Sequence, residues 1–154
     1  MSFLLSPRPS PGAERVRFLR HDVTRPLPLA GGAFDCVLCC LVAEHIPDLA
    51  ALFRELGRVC RPGPRGAIIV SAMHLALMLR GVQARFHDPR TGTHAQLASL
   101  PHQISDYVSA ALRAGLAIEH LGEHSADRSL AASYPRAEKY VGWPMLFLLK
   151  AARR

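Results

Sequence analysis

Phe34-Asp35-Cys36-Val37-Leu38-Cys39-Cys40-Leu41-Val42-Ala43-Glu44-His45-Ile46-Pro47-Asp48 is the stretch that decides how this chain folds. From Phe34 to Val42 it is too continuously apolar for a half-exposed strand, so it reads as a central strand buried on both faces. The run ends in an acid and a histidine and then enters a helix. Pro47 fixes the entry and Asp48 is placed to accept hydrogen bonds from the first helical N–H groups. Leu49, Leu52, Phe53, Leu56 and Val59 recur at helical spacing and form one apolar stripe. Arg61-Pro62-Gly63 closes that helix, and Ala67-Ile68-Ile69-Val70-Ser71 is the next buried strand.

Upstream, Val16 to Leu19 is a short strand candidate, followed by the loop acid Asp22. Residues 1–14 hold Pro7, Pro9, Pro11 and Gly12 and read as a flexible tail, leaving 15–154 as one domain. Downstream, 72–100 is less regular. A second helix is expected over 101–114, with Ile104, Tyr107, Val108, Ala111 and Leu112 as its stripe and Gly115 as its stop. Leu116 to Leu121 and Met145 to Ala151 are strand candidates, with a short helix around Asp127 to Ser133 between them. Strands alternating with helices mean an α/β fold with a largely parallel sheet. Ligands of such sheets bind outside the carboxyl ends of the strands, where Asp22, the Leu41-to-His45 segment and Ser71-to-His74 all fall.

Composition narrows the rest. The 154 residues are 49% apolar and 20% charged, which is the globular range. No apolar run approaches the ~18 residues of a membrane span. The first residues lack the basic segment of a signal peptide, so a cytoplasmic protein without membrane partners is expected. The net charge of +7 is carried mostly by scattered arginines, with Lys139 and Lys150 as the lysines. That pattern is a solvated basic surface rather than a nucleic-acid site. Cys36 and Cys39 sit on one strand and point to opposite faces, so they are small buried hydrophobes, not a metal pair. His87, His94 and His102 lack ligand spacing, and no metal site is expected. Ser105 with His102 and Asp106 is no hydrolase triad, because no Gly-x-Ser-x-Gly elbow surrounds any serine.

The order of strand and loop acid, strand and Glu-His, helix, Pro-Gly and strand resembles the second half of a class I methyltransferase that uses S-adenosylmethionine (SAM), of the type 11 kind. The likeness runs over about 16–151 and is strongest from Phe34 to Ser71. It implies an incomplete Rossmann-like sheet, mostly parallel, with an antiparallel C-terminal strand pairing with 116–121. It implies transfer of a methyl group from SAM to a small molecule selected by 72–105 and 124–143. Asp22 and Val23 match the loop that approaches adenine, and Cys40 and Leu41 match the strand end that walls it. His45 becomes the candidate catalytic base, since neutral imidazole suits proton abstraction near pH 7. His74, His102 and Tyr107 become substrate-side candidates.

The family's glycine-rich loop and ribose-binding acid have no counterpart here. Gly12 and Gly31-Gly32 do not lie between a strand and a helix, as such a loop requires. Weak or absent SAM binding by this chain alone is therefore expected, as is a late-start or fragmentary origin. The alternative is a non-catalytic methyltransferase-like subunit. It would complete its sheet with a partner chain, or self-associate, through a hydrophobic strand edge.

Overall fold

The computed structural model describes residues 16–154, so the proline-rich tail expected over 1–14 lies outside the described residues. Four strands form the main sheet: β1 (Cys36–Cys40), β2 (Ala67–Met73), β5 (Leu116–Ser125) and β6 (Pro144–Arg153), in the order β1-β2-β6-β5. β1 and β2 are parallel, while β6 runs antiparallel to both β2 and β5. Strands β1, β2 and β5 thus point one way and only the C-terminal strand reverses, as expected. A small antiparallel hairpin, β3 (Arg85–His87) with β4 (His94–Gln96), stands apart.

Helix α1 (Leu49–Val59) forms where its stripe predicts, and the Asp48 carboxylate accepts from the Ala51 N–H at 2.9 Å. Such a cap contributes about 1 kcal/mol. Helix α3 (Ile104–Arg113) starts three residues after Pro101. Gly115 follows it at φ +72°, a left-handed position that favours glycine. α1 and α3 pack on one face of the sheet. Phe53, Ile68, Val70, Phe147 and Leu149 are sealed between them. Tyr107 joins this core, its ring 5.1 Å from that of Phe147. Short helices α2 (Leu75–Leu79) and α4 (Arg128–Ser133) fill the segments that follow β2 and β5. Asp127 caps α4 through its carboxylate on the Leu130 N–H at 2.7 Å.

Two expectations are corrected. Val16–Leu19 is not a strand, and its Phe18 is 68% exposed. Its β-branched and aromatic composition has no neighbouring strand to pair with among the described residues, and a ladder needs one. β1 is not central either. Among the described residues it is a five-residue edge strand bonded only to β2, with Leu38 64% exposed. An apolar run signals burial whether or not a neighbour is there to supply it. No helix among the described residues is long and apolar enough to cross a membrane.

Candidate functional site

Beyond the carboxyl ends of β1 and β2 the chain forms an open-mouthed cavity of about 580 Å³. Leu41, Glu44 and His45 form one side. Met73 and Leu77 contribute from the end of β2 and from α2, Val82 and Ala84 from the approach to the hairpin, and Leu97 from beyond it. His124, Ser125, Leu130, Tyr140 and Met145 close the opposite wall. The two irregular segments expected to select substrate thus both reach the cavity.

The Leu41-to-His45 turn shapes the mouth. Leu41 holds φ at +54°, the one positive value recorded outside glycine among the described residues. A left-handed leucine costs about 1–2 kcal/mol and usually marks a place where the fold overrules local preference. Here the Leu41 N–H donates to the Ser71 carbonyl at 2.8 Å, which turns the chain off the end of β1. The next residues make a 3₁₀ turn, Ala43–His45. Glu44 is only 3% exposed. Its Oε1 accepts from the Met73 N–H at 3.2 Å, while its Oε2 has no hydrogen-bond partner among the described residues. Its backbone carbonyl accepts from the Leu100 N–H at 2.8 Å, tying the turn to the segment before α3.

His45 is half-buried, with Nδ1 2.8 Å from the Ala98 carbonyl. A carbonyl only accepts, so Nδ1 carries the proton and Nε2 of the neutral ring keeps its lone pair. That is the state a proton acceptor requires. His102 is anchored similarly, Nε2 donating to the Ile46 carbonyl at 2.9 Å, but it lines a separate shallow pocket with Asp106 and Arg113. His74 has both nitrogens engaged. Nδ1 accepts from the Ala76 N–H at 3.1 Å, capping α2, and Nε2 then donates to Glu123 at 2.6 Å. Tyr107 is 3% exposed in the core, where burial first, and then the charge of Glu44, push its hydroxyl pKa well up.

The residues expected on the adenine side lie in the open. Asp22 accepts from the Thr24 N–H at 3.0 Å and from its hydroxyl at 2.7 Å. These bonds, more than Arg25 at 3.7 Å, hold its carboxyl below the usual range. Val23 and Cys40 are exposed. Of Asp22, Val23, Cys40 and Leu41, only Leu41 lines the cavity. Cys39, one residue from Cys40, faces the core, and burial pushes its thiol up to about 11. Among the described residues no cluster of three or more potential ligands could hold a metal ion.

Sequence reasoning placed His45 at the site but assigned Glu44 no role. Its burial follows from the sharp turn after β1, which the sequence does not announce. The Glu-His pair directly after an apolar strand was the available signal.

Comparison with known proteins agrees with this architecture. A family model described as a methyltransferase domain matches residues 5–69. An uncharacterized methyltransferase of Emericella nidulans is 33% identical over 146 residues, which is 90% of this chain but 45% of the relative. The chain therefore spans a little under half the length of that curated relative. The crystal structure of a SAM-dependent methyltransferase from Mesorhizobium loti superposes with TM-score 0.67 at 22% identity, covering 86% of this chain and 68% of that one. A structure described as a SAM-dependent methyltransferase from Listeria monocytogenes gives 0.66 at 15% identity, covering 87% and 67%.

Proposed function

We propose, from the premise that this chain carries a methyltransferase domain of the SAM-dependent kind, that it supplies the acceptor half of a methyl-transfer site for a small molecule. The observation that carries this reading is the mostly apolar cavity at the strand ends with His45 in its wall. SAM, when bound, supplies an electrophilic methyl group on sulfur. The chain's own contribution is placement and proton management. The cavity walls hold the acceptor and exclude water, and proximity supplies much of the rate. His45 Nε2, its tautomer set by Ala98, accepts the proton that the acceptor loses.

The residues present fit one side of the cofactor. Cys40 and Leu41, exposed at the end of β1, offer an apolar surface for the purine, and Asp22 and Val23 offer acceptor and backbone groups. Among the described residues no glycine-rich loop joins a strand to a helix to receive the carboxypropyl end. Lost hydrogen bonds to charged groups are worth about 1.5–3 kcal/mol each, against about 8 kcal/mol for micromolar affinity. The 154-residue polypeptide by itself therefore binds SAM weakly or not at all. With four free thiols, the reading places the protein in a reducing compartment, the cytoplasm. Titration calorimetry tests the cofactor side, with SAM added to this polypeptide and to a version extended at its N-terminus by a strand, glycine-rich loop and helix. Binding only to the extended protein is the expected result. No binding to either overturns the enzyme reading.

The exposed edge of β1 favours a second reading, a non-catalytic subunit that completes its sheet with a partner chain. Cys36, Leu38 and Cys40 share one face of this edge strand and are all exposed. Light scattering on the isolated chain separates the two, since a dilute monomer with no partner argues against sheet completion.

A further inference from the structure

The cavity has an unusual polarity. Apolar side chains, Leu41, Met73, Leu77, Leu97, Leu130 and Met145 among them, make most of its wall, His45, His124, Ser125 and Tyr140 add polar groups, and no lysine, arginine or aspartate among the described residues lines it. Among the described residues its one acid is Glu44, 3% exposed, with Oε1 engaged by the Met73 N–H and Oε2 without a donor. A buried carboxylate oxygen left unpaired is a standing deficit, because burial removes water and nothing replaces it. The volume of about 580 Å³ lies within the range of roughly 300–1,000 Å³ typical of small-molecule pockets.

We propose that this cavity takes an apolar small molecule carrying one O–H or N–H group, which donates to Oε2 of Glu44, and that it rejects anionic ligands. The proposal rests on the reading of the cavity as the acceptor chamber and names the class of acceptor it admits. An apolar body is matched by the walls. A hydroxyl or ammonium group removes the deficit at Glu44. A carboxylate or phosphate would meet the like charge of Glu44 with no lysine or arginine among the described lining residues to offset it, a mismatch that disfavours such ligands.

The test uses the 154-residue chain without SAM and four probes of one skeleton: 2-naphthylmethanol, its methyl ether, 2-naphthylmethylamine and 2-naphthoate. Affinities are read by fluorescence titration. The alcohol or the amine binds about tenfold tighter than the ether, and the naphthoate binds weakest. The tighter of the two donors tells whether hydroxyl or ammonium is preferred. Equal affinity for alcohol and ether, a preference for naphthoate, or no binding by any probe overturns the proposal. Glu44→Gln sharpens it. The amide oxygen keeps the Met73 N–H and the amide NH2 takes the place of Oε2, so the preference for donors disappears. An unchanged preference overturns the assignment to Glu44. Should that variant fail to fold by circular dichroism, Leu130→Trp, at a wall residue already 38% exposed, fills the cavity instead. It weakens every probe about tenfold, and unaltered binding overturns the site. Because SAM is absent, a chain that discriminates the probes but never transfers methyl groups would sink the enzyme reading while leaving this one standing.

Discussion

His45 and Glu44 are neighbours with different tasks, set by what each touches. The Ala98 carbonyl fixes the His45 tautomer and leaves Nε2 free to accept. In a methyl-transferring version of the protein, His45→Gln should lower kcat by about 10²-fold while changing KM little, as removal of a proton acceptor does. Steady-state kinetics with a donor-bearing acceptor checks this, and an unaltered kcat removes His45 from the chemistry. The cysteines give a second test. Cys36 and Cys40 are exposed, whereas Cys39 and Cys60 are buried and burial raises both of their pKa values. A chromogenic disulfide at pH 8 should titrate two thiols quickly and two only on unfolding, because the thiolate is the reactive form. Four fast thiols would contradict the placement of β1. At this scale the sequence was half legible. His45 could be named from its position after an apolar strand. The left-handed Leu41 and the unpaired Glu44 oxygen could not, since both arise from how the turn is held by Ser71, Met73 and Leu100.

At the scale of elements the helices were the legible part. The stripe from Leu49 to Val59 and the cap at Asp48 are local, and α1 obeys them. Val16–Leu19 was misread because a strand is completed by its neighbour, which local composition does not contain. Two predictions belong here. Gly66 sits where an added Cβ would lie 1.8 Å from the Arg61 carbonyl oxygen, so the turn between α1 and β2 admits only glycine. Gly66→Ala should lower the melting temperature sharply, by more than the few degrees of an ordinary surface change, and a melting scan unaltered within a degree or two would refute it. Glu55 is the other case. Its carboxylate accepts from Arg58 and from the Leu27 N–H at 2.7 Å, and these bonds hold its pKa below the ordinary value. A depressed acid stabilises the fold fully above the unfolded glutamate range near about 4.3, and that contribution is lost as pH falls through the folded value. Glu55→Gln should therefore be less stable than the wild type at pH 7, with the gap closing below about pH 4. Urea unfolding at pH 7 and at pH 3 measures it, and a gap independent of pH would assign the effect to packing.

For the molecule as a whole, the sheet is open on the β1 side among the described residues. The apolar run at 34–42 promised two neighbours and found one. An exposed apolar edge invites pairing. Concentrated samples of the chain should self-associate, and Leu38→Lys should shift the population toward monomer, as inward or edge lysines do in natural sheets. Light scattering across a concentration series reads this directly, and identical behaviour of the two proteins would show that the edge is not the contact.

β6 is the last strand in chain order, yet it stands between β2 and β5, which touch no other strand on that side. The timing of synthesis follows from that position. Ribosomes add about 5–20 residues per second, so β2 waits several seconds, with one edge unfilled, for a segment that starts 71 residues after it ends. Nascent chains cut before Pro144 should remain protease-sensitive and bind holding chaperones, while those that include Arg153 should close the sheet in one late, cooperative step.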